Sequence, residues 1–318
     1  MRCSLLSGSA GSQRAKYEAF CAANPSIPVF FQDWYLDAVC TDGVWDAVLW
    51  ESTAGEVQAV WPYFLKHKWG FRYITMPHFV KYMGPWSKHN DAVVFEDIFD
   101  DMAGSLPRVD AFRQNFHYAF PDTGIFSKTA FGFRHSHTYL LDIRDLDAVF
   151  RGVNRNMRRN ILKAQQTVRI LADNDPERFF PFSEAPFKRK GISTPYPKAF
   201  FFSHDAALGQ HNQRQIFFAV DAHGRTHAAA YLIWDHHSAY YHLSGDDPDL
   251  RHSGAGILLI WEAIRFAREA LGISVFDFEG SMLPPVEAIR RQFGAVQTGY
   301  PFVWQYRNPL LRLVQNWK

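Results

Sequence analysis

One junction constrains this chain more than any other feature: Y-H-L-S-G-D-D-P-D-L-R-H-S-G-A-G-I-L-L-I-W-E-A-I-R-F-A-R-E, residues 241–269. Tyr240, Tyr241 and Leu243 read as the end of a strand, and residues 257–268 as an amphipathic helix with its apolar positions three and four apart. The loop from Arg251 to Gly256 opens that helix. A helix's first turn carries unpaired N–H groups and a partial positive charge, which suits a phosphate. Gly254 and Gly256 allow close backbone approach and positive φ. The anchoring set is therefore Arg251, His252, Ser253, Gly254, Ala255 and Gly256; the alternative is a common glycine turn with a solvated arginine.

The rest of the chain supplies a setting for the junction. Residues 145–166 have helical spacing and T-V-R-I-L (167–171) reads as a strand. Residues 178–190 read as broken helix and loop, and 198–208 as a helix. Residues 215–221, 227–235 and 238–245 form a three-strand antiparallel meander turned by H-G-R and D-H-H. After the glycine loop and its helix come V-F-D-F-E-G (275–280) as a strand, residues 285–295 as a helix and residues 300–306 as a last strand. Before Asp145 a weaker version of the plan runs from a helix at 30–40, with Asp33 as its N-cap, through a hairpin (45–51 and 57–66). A strand at 71–77, a helix at 93–103 and strands at 113–120 and 137–143 complete it. The expected fold class is α+β (mixed α/β), in two domains, 1–144 and 145–318.

With 318 residues, two domains are comfortable. A formal net charge of +2 gives no bulk attraction for nucleic acid, so anion binding has to be local. The cysteines, Cys3, Cys21 and Cys40, are sparse, odd in number and without a C-x-x-C pair, which argues against a disulfide framework or a zinc site. The start has too short an apolar run for a signal peptide, and no segment reaches the ~20 apolar residues of a membrane span. A cytoplasmic, reducing location is expected. H-S-H at 135–137 places two imidazoles on one strand face without a third metal ligand, and G-A-G-I-L-L lacks the rest of a dinucleotide or P-loop pattern.

The element order, with R-H-S-G-A-G at its centre, resembles the GNAT acyltransferase fold. Arg251, Gly254 and Gly256 match that family's Q/R-x-x-G-x-G/A phosphate loop at the strand-to-helix junction. F-Q-D-W-Y-L-D-A-V, P-H-F-V-K-Y-M-G-P-W, N-R-N-M-R-R-N-I-L-K-A and F-D-F-E-G-S-M extend the likeness over nearly the whole chain. They resemble double-GNAT proteins related to the Fem peptidoglycan transferases and the BioF2-like acetyltransferases. The resemblance implies two tandem GNAT-like domains, each a mostly antiparallel sheet flanked by helices, with an acceptor groove shared between them. Only the C-terminal half carries the phosphate loop, so the donor is placed there and the degenerate N-terminal half on the acceptor side. A clean phosphate loop favours an acyl-CoA donor, acetyl-CoA or another; Fem enzymes generally lack one and use aminoacyl-tRNA.

The implied reaction is N-acyl transfer by direct attack of an amine in a ternary complex. The alternatives are an aminoacyl-tRNA-dependent Fem-like transferase acting on a cell-wall precursor, and a non-catalytic binding protein. The strand through Tyr241, His242 and Leu243 would hold the pantetheine arm, and no metal is needed. Glu279 and Asp277 are the leading candidates for the base among Asp246, Asp247, Asp277 and Glu279, since alternation places both on one face of an apolar strand. The other reading has them binding nearby N–H groups, Arg290 or Arg291. His242 could relay protons or be a core histidine. Lys81, Tyr82 and Trp86, in a Pro/Gly-bounded loop, form a candidate acceptor wall. Lys188 and Arg189, with Lys190, either meet an acceptor anion or are wet surface. The basic face Arg155, Arg158, Arg159 and Lys163 either binds an anion or tRNA or is a solvated face, the reading preferred here.

Overall fold

The computed structural model describes residues 2–5, 12–88, 92–121, 124–280 and 284–315. In chain order the elements are β1 (Arg2–Leu5), α1 (Ser12–Ala23), α2 (Asp33–Val39), β2 (Val44–Glu51), β3 (Val57–Lys68), β4 (Phe71–Thr75), β5 (Trp86–Ser87), α3 (Ala92–Ser105), β6 (Ala111–Asn115) and β7 (Gly132–Asp142). They continue with α4 (Leu146–Gly152), α5 (Arg155–Gln165), β8 (Val168–Ala172), α6 (Pro176–Lys188), α7 (Lys198–Gln210), β9 (Arg214–Asp221), β10 (Thr226–Trp234) and β11 (Ser238–Asp246). The last are α8 (Ala255–Glu269), β12 (Val275–Asp277), α9 (Pro284–Gln292), β13 (Val296–Tyr306) and α10 (Pro309–Gln315). The fold is mixed α/β with mostly antiparallel sheet.

The chain packs as two compact units, Met1–Ser136 with Gly299–Lys318, and His137–Thr298. The sequence reading divided it at 144/145 and gave the whole C-terminus to the second half. The C-terminal segment instead returns to the first unit, because β13 pairs antiparallel with β6 from Phe302↔Asn115 to Tyr306↔Ala111.

In the first unit the strand order is β1-β2-β3-β4-β6-β13. β3 is buried on both faces over most of its length, which is why it reads as an almost unbroken apolar run. Trp61 of β3 sits among Phe99, Phe112 and Phe116, and its indole N–H donates to Gln114 Oε1 at 2.8 Å. The 113–120 strand ends at Asn115, since Phe116 N donates to Pro301 O and the chain then turns through His117. Asp33 is the first residue of α2 rather than its cap; its carboxylate is taken by Arg14 at 2.7 Å.

In the second unit the order is β7-β12-β11-β10-β9-β8. The apolar face of α8, through Leu258, Leu259, Ala263, Ile264 and Ala267, joins Ala228, Ala230 and Leu232 of β10 in one core. Alanines on the strand let the helix lie close. Each buried Leu or Ile contributes roughly 1.5–3 kcal/mol. α6 runs unbroken from Asp175, whose carboxylate caps Arg178 N, despite Pro181 and Pro186. Pro186 has no N–H to give the Phe182 carbonyl. That carbonyl lies against β11 at Gly245, where a Cβ would sit 1.9 Å from it.

Candidate functional site

The site begins with a strand pair that stops pairing. β11 and β12 run parallel for three residue pairs, Ser238↔Val275 to Tyr240↔Asp277. β12 then ends, while β11 continues to Asp246. The gap opens into a cavity of about 670 Å3 walled by β11, the loop before α8, the starts of α8 and α9, and the end of α6. Tyr241, His242, Gly245, Gly254, Gly256 and Arg290 are among its lining residues.

At the start of α8, Gly254 caps the helix in the left-handed region, φ +76°. The first amides divide in an orderly way: Ala255 N–H goes to Ser253 Oγ at 3.3 Å, and Ile257 and Leu258 N–H to the Gly254 carbonyl at 3.0 and 3.1 Å. The Gly256 N–H takes no acceptor among the described residues, and a Cβ on Gly256 would meet open space. Gly254, Gly256, Arg251 and His252 line the cavity; Ser253 and Ala255 are buried beneath it, Ser253 acting as the local cap. Arg251 does not present a free charge. It is ion-paired with Asp246, whose other oxygen accepts from Arg189 at 2.9 Å.

Along β11, the β10–β11 ladder skips a residue: Tyr231 pairs with Leu243 and Leu232 with Tyr241, leaving His242 as a bulge. A bulge re-aims its side chain. His242 Nδ1 meets Glu279 Oε1 at 2.7 Å; the side chains are 3% and 15% exposed, and of the two His242 lines the cavity. Glu279 has φ +53°, so the alternation read from V-F-D-F-E-G fails at that residue. The turn is held by Asp277. Fully buried, its carboxylate accepts the Glu279 N–H at 2.7 Å and the Thr138 hydroxyl. Asp277, expected as a base, is thus a positioning residue behind the cavity wall. His204 of α7 packs 5.1 Å from His242, ring to ring; burial, then the neighbouring His242 and Arg214, push its pKa well below the usual value and keep it neutral. Burial likewise raises Tyr241, and it lowers Arg290 against the pull of Asp277 and Glu279.

Several expected positions fall elsewhere. Arg189 lines the larger cavity, paired with Asp246. Lys188 is an exposed partner of Glu184 at 2.9 Å, because it lies on the outer side of α6. Leu243 pairs with Tyr231 in the ladder and does not line the cavity. Tyr82 and Trp86 are buried in the first unit, Tyr82 edge-on to Phe30, His117 and Tyr300; neither ring offers an open wall. Lys81 sits above the Tyr300 ring at 4.7 Å and donates to its hydroxyl at 3.1 Å. His204, Thr138, Gly245 and Arg290 were missed as site residues. Only Gly245, a glycine late in a strand, carried a local signal.

A splayed parallel strand pair, a bulged strand and a glycine-capped helix start on one cavity are the arrangement of a GNAT-type fold. The comparisons agree: residues 150–283 match the acetyltransferase (GNAT) domain family. That segment is a GNAT domain, and the chain as a whole has the tandem GNAT fold. The crystal structure of FemX aligns with TM-score 0.70 at 13% identity, covering 95% of this chain and 98% of FemX. A tandem GNAT protein from the clavulanic acid biosynthesis pathway aligns with TM-score 0.56 at 9% identity, covering 95% and 98%. L-PGS from Bacillus licheniformis aligns with TM-score 0.52 at 11% identity, covering 86% and 90%. No curated protein sequence matches at a significant level. Among the described residues no helix is long and apolar enough to cross a membrane, and no cluster of His, Cys, Asp or Glu is arranged to hold a metal.

Proposed function

We propose that this chain is an N-acyltransferase that moves an acyl group, acetyl in the simplest case, from coenzyme A to an amine by direct attack. The observation that carries this reading is one cavity lined both by Gly254 and Gly256 at the start of α8 and by His242, which Glu279 backs at 2.7 Å. The residues fit a coenzyme A thioester. The Gly256 N–H and the α8 dipole face the diphosphate, the bare Gly256 leaves room for it, and the unpaired length of β11 offers backbone groups to an extended pantetheine arm. When bound, the thioester supplies the activated acyl carbon.

The chain's residues then handle the proton. An amine attacks only as the neutral base, and forming the N–C bond releases a proton as the C–S bond breaks. With His242 Nδ1–H donated to Glu279, Nε2 is the nitrogen left to accept that proton. Glu279 fixes the tautomer and balances the imidazolium that forms, and Asp277 holds Glu279 in place. The domain assignment follows the same logic: the unit His137–Thr298 holds the donor. On the acceptor side, in the N-terminal unit, Lys81 over Tyr300 is the candidate contact that remains.

The test is calorimetric titration of acetyl-CoA into the purified chain, followed by thiol release with a panel of amines. Submillimolar binding and amine-dependent release support the reading. Absence of coenzyme binding by a folded chain, with binding of aminoacyl-tRNA, replaces the donor; binding of neither leaves a non-catalytic module.

A further inference from the structure

A second cavity, of about 430 Å3, lies between the β9–β10 turn and the loop before α8. Half of its lining residues are cationic or imidazole, Lys163, His223, Arg225, His227 and His252, with Asp221 as the acid. Asp221 is already committed. It takes the backbone N–H groups of His223 and Arg225 at 2.9 Å each and the Arg225 guanidinium at 2.8 Å, and lies 3.1 Å from His227 Nε2. Burial alone would raise its pKa, but these donors outweigh burial and hold it well below the usual carboxylate range.

His227 is 3% exposed, and its other nitrogen, Nδ1, is buried with no hydrogen-bond partner among the described residues. With Asp221 on Nε2, Nδ1 carries a hydrogen only in the imidazolium, the form that Asp221 on one side and an anion on the other favour together. Lys163, on the exposed face of α5, makes no ion pair among the described residues. A metal is the other ligand that a carboxylate-backed histidine suits. Among the described residues no three His, Cys, Asp or Glu side chains are arranged to hold a metal, and Lys163 and Arg225 on the same wall disfavour one.

We propose that this cavity binds a phosphate group, with His227 Nδ1–H and Lys163 as its donors. His252 belongs to both cavity walls, so the same phosphate can arrive in two ways. It is either the 3′-phosphate of a coenzyme A seated in the larger cavity or a separate phosphate. The first route rests on the donor reading above; the site itself does not.

The test follows the His227 ring signals by NMR in the full, histidine-labelled chain during titration with inorganic phosphate. A saturable shift is expected, about tenfold weaker in Lys163→Gln, a surface change whose fold is checked by an unaltered Tm. In parallel, calorimetry compares coenzyme A with 3′-dephospho-coenzyme A. Tighter binding of coenzyme A, with the difference erased by Lys163→Gln, assigns the site to the 3′-phosphate. A His227 response to inorganic phosphate but not to coenzyme A assigns it to a separate phosphate, and that outcome survives failure of the donor reading. No saturable response of His227 to either overturns the proposal.

Discussion

His242 and Glu279 meet at 2.7 Å although 37 residues separate them, and each stands at a break in regular backbone. His242 is the extra residue of a bulge in β11; Glu279 is held at φ +53° just past β12. Positive φ in a residue of this kind costs of order 1–3 kcal/mol and persists only where the surroundings enforce it. Here the enforcing group is Asp277, which binds the Glu279 N–H.

Glu279→Gln keeps the size of the side chain and removes its charge. kcat is expected to fall by about 10²–10⁴ while the dissociation constant for acetyl-CoA stays within about twofold, since the glutamate touches the proton path and not the phosphate end. Steady-state rates with calorimetry check both; an unchanged kcat removes the pair from the chemistry.

Gly256→Glu tests the phosphate end more cleanly than a change at Gly254. A Cβ at 256 meets open space, whereas Gly254 has φ +76° and any other residue there is strained. A carboxylate at the helix start should repel the diphosphate, weakening coenzyme binding by at least about tenfold, or 1.4 kcal/mol, with Tm little altered. Undiminished binding in a titration would place the donor elsewhere.

Gly245→Ala should damage the fold rather than the chemistry alone. Its Cβ would lie 1.9 Å from the Phe182 carbonyl, so α6 has to move off β11. A loss of about 1–3 kcal/mol in urea unfolding is expected, larger than for an alanine placed at Gly256.

Stability should fall with acid in a way that His204 governs. Its folded pKa is depressed by burial, so the folded state excludes a proton that the unfolded chain binds near pH 6.5. The contribution is complete above that pH and is lost as pH falls below it, with a slope approaching ~1.4 kcal/mol per pH unit. His204→Phe, which keeps a buried ring beside Tyr231 and His242, should flatten the unfolding free energy between pH 6.5 and 5. An unchanged slope assigns the proton to another group.

Much of this was readable from residue order alone. The strand, glycine loop and amphipathic helix at 241–269 were set by local chemistry, because apolar spacing and glycine placement act within a few residues. The same holds for the meander at 215–245 and for Glu279 and His242 as chemical candidates. Misplaced residues failed for a shared reason. Arg251 and Arg189 were read as free charges, yet both are bound to Asp246; Tyr82 and Trp86 were read as loop aromatics, yet both are buried.

The sequence by itself determined most of the helices and strands between residues 198 and 280 and the glycine turn that opens α8, since those choices rest on periodicity and on backbone freedom at single residues. Only the tertiary structure decided that β11 and β12 part after three residue pairs, that a bulge turns His242 toward Glu279, and that Asp277 serves the backbone. Ladder register and the pairing of buried charge depend on residues far apart in the chain, and no local pattern encodes that distance.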